Sequence, residues 1–235
     1  MIHQLDDEDL RAISERAAIM DHNTSAIEQW EVQSLVAEVL RLRGQPAQWP
    51  GDDDASRGDR GPWIQTFTGR RFHPLSPQTT DIVIEDIAHA LSMICRYAGH
   101  TRKFYSVAEH SVIVSLHVPP EYAREALLHD ASEAYIGDVS RPIKHSPIMC
   151  EYRRVEAELT CAIYERFGIK STVESQQAID VVDQALPHDE IKALMADPAM
   201  FRVRKGLDTS IGALPPRHAL HVFAQRFREL FPEAA

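Results

Sequence analysis

The stretch ALLHDASEAYIGD, residues 126–138, sets three apolar residues directly ahead of His129 and Asp130, with Glu133 and Asp138 close behind. The surrounding PEYAREALLHDASEAY opens on Pro120, whose fixed φ suits a first helical turn, and predicts one helix running to Tyr135. Helix positions three and four apart share a face, so Glu133 is expected to stand over both Asp130 and His129. The apolar turn that precedes them directs this face toward the interior. Polar groups left dry and unpaired there would cost roughly 2–7 kcal/mol each. A divalent cation removes the conflict, because neutral imidazole and carboxylate are both metal ligands and the ion offsets their desolvation. The chain must therefore fold so that ligands from distant segments reach this turn.

Helices are the elements available for that. SVAEHSVIVSLHV holds Ser106 and Glu109 at capping-box spacing, which starts a helix at Ser106 that stops before Pro119-Pro120. IEDIAHALSMICRYAG keeps Ile87, Leu91, Ile94 and Cys95 on one side and is expected to close on Gly99. Later helices are predicted near 149–167, 173–195 and 215–231. Only WIQTFTGRRFHPL has strand character, with Thr68-Gly69 at a turn, so a short hairpin is expected there. The fold class is all-α, a helical bundle over residues 63–235 with that hairpin at its start. Ahead of it, Ile27, Trp30, Leu35, Val39 and Leu42 recur at helical spacing before Gly44, and residues 1–45 are read as a separate helical extension. Residues 46–62, rich in Gly, Pro and Asp, are read as a linker, with Asp52–Asp54 solvated within it.

Charge and cysteine usage narrow the function classes. The net charge is −10, and residues 1–62 carry 13 Asp and Glu against 6 Lys and Arg. Such a chain is not expected to bind nucleic acid through its phosphates, although the near-neutral remainder can hold a basic pocket for a small anion. No apolar run reaches about eighteen residues, so no membrane span is expected, and the acidic first thirty residues do not read as a signal peptide. Cys95, Cys150 and Cys161 form no paired pattern, which points to reduced thiols and a cytoplasmic location.

Two further ligand candidates lie elsewhere in the chain. His110 falls in the first turn of the capped helix, and Asp183 stands in AIDVVDQAL among Ala178, Val181, Val182 and Ala185. With His129 and Asp130 they make a two-histidine, two-aspartate set. VAEHS, LLHDASEAYIGD, RPIK and an aspartate in a later helix occur in this order after FTGRRFHPLSP, DIVIEDIAHALS and CRYAGHTRKFYS. Together these blocks resemble the HD-domain metal-dependent phosphohydrolases, in particular the branch holding bacterial 5'-deoxynucleotidases and phage dATP triphosphohydrolases. The resemblance covers roughly residues 63–232.

The resemblance implies His110, His129, Asp130 and Asp183 as ligands of one divalent ion (manganese, cobalt, zinc, iron, nickel or magnesium), with Asp180 the rival for the last place. It implies Glu133 and Asp138 as the proton-handling carboxylates and Arg96 as the phosphate-binding arginine. Lys144 and Arg141 are expected to add charge to the same anion. Pro187 in ALPHDE departs from the family pattern and bears on the local helix geometry. The implied substrate is a deoxynucleotide. The phage-like opening blocks tilt the expectation toward a triphosphohydrolase, dATP being one candidate, over a monophosphatase. A nucleotide-binding protein without catalysis is the alternative, and a homo-oligomer is expected by family analogy. His89, on the apolar face of its helix, is expected as a buried or second-layer residue, whereas His73, His117, His145, His188, His218 and His221 are read as surface groups.

Overall fold

The computed structural model describes residues 60–234, which lie in the second of the two units of the chain, Arg57–Ala235. The expected helical extension at 1–45, and the linker up to residue 59, lie outside the described residues. What is described is all-α apart from a two-stranded hairpin. Strands β1 (Ile64–Gln65) and β2 (Arg71–Phe72) pair antiparallel, Ile64 with Phe72 and Gln65 with Arg71. Gly69 takes the positive φ of +79° that the turn needs. Helix α1 (Ile84–Met93) holds the hairpin tip through buried Asp86, which accepts hydrogen bonds from the Thr68 N–H (2.7 Å) and hydroxyl (3.0 Å).

Helix α2 (Val107–His117) is the central element, buried on nearly every side. It packs against α1, α3 (Ala123–Leu128), α7 (Val173–Leu194) and α8 (Pro216–Leu230). The intervening short helices are α4 (Glu133–Ile136) and α5 (Arg141–Lys144), followed by the longer α6 (Cys150–Arg166). Ser106 caps α2 as expected, accepting the Glu109 N–H at 3.1 Å. Glu109 does not complete the box. Its side chain turns away to accept the N–H groups of Gly212, Ala213 and Leu214 at 2.8, 3.0 and 2.7 Å, tying the extended stretch ahead of α8 to the central helix. The full capping box belongs instead to Thr172 and Ser175 at the start of α7.

Apolar burial holds these helices together. Ala219, Phe223, Phe227 and Phe231 recur every four residues, and all are buried. They join Leu159 and Ile163 of α6, Ile87 and Leu91 of α1, and Leu127 and Leu128 of α3 in one cluster. Each such side chain contributes roughly 1.5–3 kcal/mol. A second cluster, with Ile113, Val114, Ala126, Ile179, Val182 and Leu186, seats α7 against α2 and α3. No helix among the described residues is long and apolar enough to cross a membrane.

Two local expectations are corrected. The helix from Pro120 does not run unbroken to Tyr135: it stops at Leu128 and resumes at Glu133. Between them Ala131, Glu133 and Ala134 donate to carbonyls three residues back, a tightened 3₁₀ pattern in which positions three apart eclipse. Helix α1 ends at Met93 rather than near Gly99, because Cys95 bridges Ser106 and Arg96 N–H bonds the Tyr105 carbonyl at 2.9 Å. Helix α7 runs through Pro187 without ending, over the range expected for it.

Candidate metal centre

The broken helix delivers His129 and Asp130 at the end of α3, α2 delivers His110, and α7 delivers Asp183. His110 Nε2 lies 3.0 Å from Asp183 Oδ1 and 3.8 Å from Asp130 Oδ2. His129 Nε2 lies 3.2 Å from Asp130 Oδ2 and 3.9 Å from Asp183 Oδ1. An ion bound at about 2.1 Å holds adjacent ligand atoms roughly 3.0 Å apart at octahedral angles and about 3.4 Å apart at tetrahedral ones. The observed separations bracket those values. His110, His129 and Asp183 offer atoms all within 4.8 Å of one another, and Asp130 reaches both imidazoles. The rival Asp180 is exposed, on the outer side of α7.

Ring tautomers fix what these atoms can do. His129 Nδ1 faces the Ala126 carbonyl at 2.8 Å, and a carbonyl only accepts, so Nδ1 carries the proton. His110 Nδ1 faces Glu190 Oε1 at 2.7 Å and donates likewise. Both Nε2 atoms then present lone pairs toward two carboxylates, an arrangement that needs a cation or added protons. His129 Nε2 and Glu133 Oε2 are buried with no hydrogen-bond partner among the described residues. The donor set therefore fits a divalent ion held by His110, His129, Asp130 and Asp183.

The electrostatics follow from the same crowding. Burial and Arg96 push His110 down, but Glu190 and Asp183 outweigh them and its pKa is raised. Burial likewise opposes the charged form of His129, yet Asp130 and Asp183 hold its pKa well above the usual value. Burial pushes Asp130 and Asp183 up, and the two histidines overcome it and hold both below the usual carboxylate range. Glu133 goes the other way: burial, then Asp130 and Asp138, push it up to about 9. Asp138 is raised too, chiefly by burial, with Arg96 opposing.

Arg96 stands within reach of this cluster, 3.5 Å from Asp130 Oδ2 and 3.6 Å from Glu190 Oε2. It begins a turn in which Tyr97 and Ala98 take φ of +58° and +51°. Lys144 lies 3.7 Å from Glu133 Oε1 but is committed to Glu156 Oε1 at 2.5 Å, and Arg141 is exposed at the start of α5. His89 is half-buried and stacks on Phe67 at 3.8 Å, away from the second-layer role expected of it. His73 is buried, with Nδ1 2.9 Å from the Gly61 carbonyl, and is not a surface group.

Sequence reasoning missed Glu190, Tyr97 and Tyr105. Glu190 is fully buried, and both tyrosine hydroxyls donate to it, Tyr105 at 2.8 Å. Burial would raise Glu190, but Arg96 and His110 outweigh it and hold the pKa at about 2. The one available signal was spacing, since Glu190 follows Asp183 by two helical turns and shares its face.

Fold and site together define a helical protein with a partly buried two-histidine, two-aspartate cluster suited to a divalent cation. The chain belongs to the family of the uncharacterized protein YfdR of Escherichia coli (strain K12), with which it is 38% identical over 173 residues, covering 72% of this chain and 95% of that protein. It is also 35% identical over 143 residues to an uncharacterized protein of Rhodobacter capsulatus, covering 55% of this chain and 72% of that protein. No family model matches it.

Proposed function

We propose that the protein is a metal-dependent phosphohydrolase of the HD-domain type acting on deoxynucleotides. The observation that carries this reading is the convergence of His110, His129, Asp130 and Asp183 beside an arginine and an unpartnered buried carboxyl oxygen of Glu133. The chemistry a divalent ion supplies when bound is polarisation of a phosphoryl oxygen and acidification of water. Arg96 offers a planar fork to phosphate oxygens, and its burial strengthens that attraction. Glu133, which burial and then Asp130 and Asp138 push up to about 9 in the absence of an ion, is one of two carboxyls beside the centre that can handle a proton in the reaction. Asp138, raised chiefly by burial with Arg96 opposing, is the other, and between them they serve the attacking water and the leaving 5'-oxygen.

Charge favours a monophosphate over a triphosphate. Arg96 and Lys144 already face carboxylates, and Asp138, Glu133, Glu156 and Glu190 surround them. The extra charges of a triphosphate would meet few uncommitted cations there. The triphosphohydrolase reading remains the second, supported by the phage-like blocks ahead of His110.

The test is a product profile. Metal-free protein is reloaded with manganese or cobalt, offered each dNMP and each dNTP, and the products are separated by chromatography. Orthophosphate and deoxynucleoside from a dNMP, lost on chelation and in Asp130→Ala, are expected. Intact tripolyphosphate would select the second reading. Unaltered substrate with every divalent metal, in protein that binds metal, would leave a nucleotide-binding protein and overturn the enzyme.

A further inference from the structure

We infer that Glu190 is a positioning residue that aligns both halves of the site, the imidazole of His110 on the metal side and the guanidinium of Arg96 on the anion side. The inference rests on the phosphohydrolase site proposed above and deepens it. Glu190 divides its two oxygens between the two tasks. Oε1 accepts from His110 Nδ1 at 2.7 Å and from the Tyr105 hydroxyl at 2.8 Å. Oε2 accepts from the Tyr97 hydroxyl and lies 3.6 Å from Arg96 Nη2. The side chain is fully buried, so these partners, drawn from α2 and from the 96–105 loop, replace its water entirely.

Each contact fixes something the site needs. A histidine binds metal through the nitrogen that carries no proton, and the partner of the other nitrogen decides which one that is. Glu190 accepts the hydrogen bond from His110 Nδ1–H and so keeps the lone pair on Nε2, facing Asp183. Arg96 leads into a turn whose Tyr97 and Ala98 adopt left-handed φ, a conformation that L residues avoid unless tertiary contacts hold it. The Tyr97 hydroxyl on Oε2 is such a contact, and Arg96 lies against the same oxygen. With both oxygens engaged from the interior, Glu190 has little left to offer substrate or ion, which separates it from the ligand carboxylates.

Glu190→Gln tests this directly. Glutamine has one acceptor oxygen, so it can serve the His110 side or the Arg96 side, not both. Manganese affinity of the metal-free protein is measured by calorimetry, and orthophosphate binding is measured on the manganese-loaded protein. The expected result is a loss of about ten- to hundredfold in at least one of the two affinities. Tyr97→Phe removes only the hydroxyl bond at Oε2, and its expected result is weaker orthophosphate binding with manganese affinity unchanged. That split is not what general destabilisation produces, and Tyr97→Phe alone decides the matter should Glu190→Gln fail to fold. Both affinities within twofold of wild type in folded Glu190→Gln, or unchanged orthophosphate binding in Tyr97→Phe, would overturn the inference and leave the metal centre standing. Wild-type protein that takes up no manganese would instead overturn the site reading itself.

Discussion

The carboxylate of Glu109 offers the sharpest test of how the fold is held around the site. It accepts three backbone N–H groups, those of Gly212 and Ala213 at Oε1 and that of Leu214 at Oε2. Hydrogen bonds to a charged group contribute about 1.5–3 kcal/mol each. In Glu109→Gln the amide oxygen can keep the pair at Oε1, now as weaker neutral bonds, while the amide nitrogen confronts the Leu214 N–H, donor against donor. One strong bond lost, one buried donor orphaned and two bonds weakened are partly offset because the neutral amide escapes the burial that raises the Glu109 pKa despite these bonds, leaving about 2–4 kcal/mol. At about 2–4 °C per kcal/mol for a domain of this size, Tm should fall on the order of 10 °C. Thermal unfolding followed by circular dichroism with chelator present isolates this from metal binding. Hydrogen exchange should show lost protection at residues 212–214 in the variant. A Tm within 1 °C of wild type, with those amides still protected, would refute the claim that this carboxylate holds the loop.

Three other outcomes are expected. Ala98→Gly should raise stability by about 0.5–1 kcal/mol, because relief of a left-handed alanine (φ +51°) exceeds the added unfolded-state entropy; a lower denaturation midpoint would contradict it. Gly206→Ala should destabilise by about 1–3 kcal/mol, since an added Cβ would sit 2.3 Å from Asp189 Oδ1, the carboxylate that also accepts the Leu207 N–H; urea unfolding at wild-type midpoint would show that the strap is placed differently. Manganese affinity should weaken as pH falls and do so from above the ordinary histidine range. The raised pKa values of His110 and His129 mean that protons still occupy the empty site there and must leave on binding. Calorimetry in buffers of different ionisation heat should detect that proton release at neutral pH, and affinity unchanged between pH 8 and 6 would argue against these two ligands.

Much of the candidate centre was legible because its residues announce themselves locally. Ser106 caps a helix whose first turn carries His110, and Leu127-Leu128 drive the chain inward just before His129 and Asp130. Asp183 lies on the α7 face that also buries Val182 and Leu186 nearby, whereas Asp180 falls outside. Apart from the break between Leu128 and Glu133, the departures from expectation involve a partner distant in the chain. Glu109 has the spacing of a capping-box glutamate, but its carboxylate finds three amides more than a hundred residues away. Lys144 carries no local sign of the ion pair that α6 gives it through Glu156. Arg96 reads as the end of a helix, yet a bridge to Ser106 stops α1 early and sends the guanidinium to Asp130 and Glu190.

The sequence alone placed most of the helices, because periodicity, caps and prolines act through energies local to a few neighbouring residues. The family resemblance it carries named His110, His129, Asp130 and Asp183, with Asp180 as rival, as candidates to share an ion. Only the tertiary structure decided which carboxylates gather at the candidate centre and which are engaged by donors from other elements. A carboxylate's role depends on which donors surround it, and for Glu190 and Glu109 those donors arrive from α2, the 96–105 loop and the irregular stretch before α8, brought together by packing that no local pattern encodes.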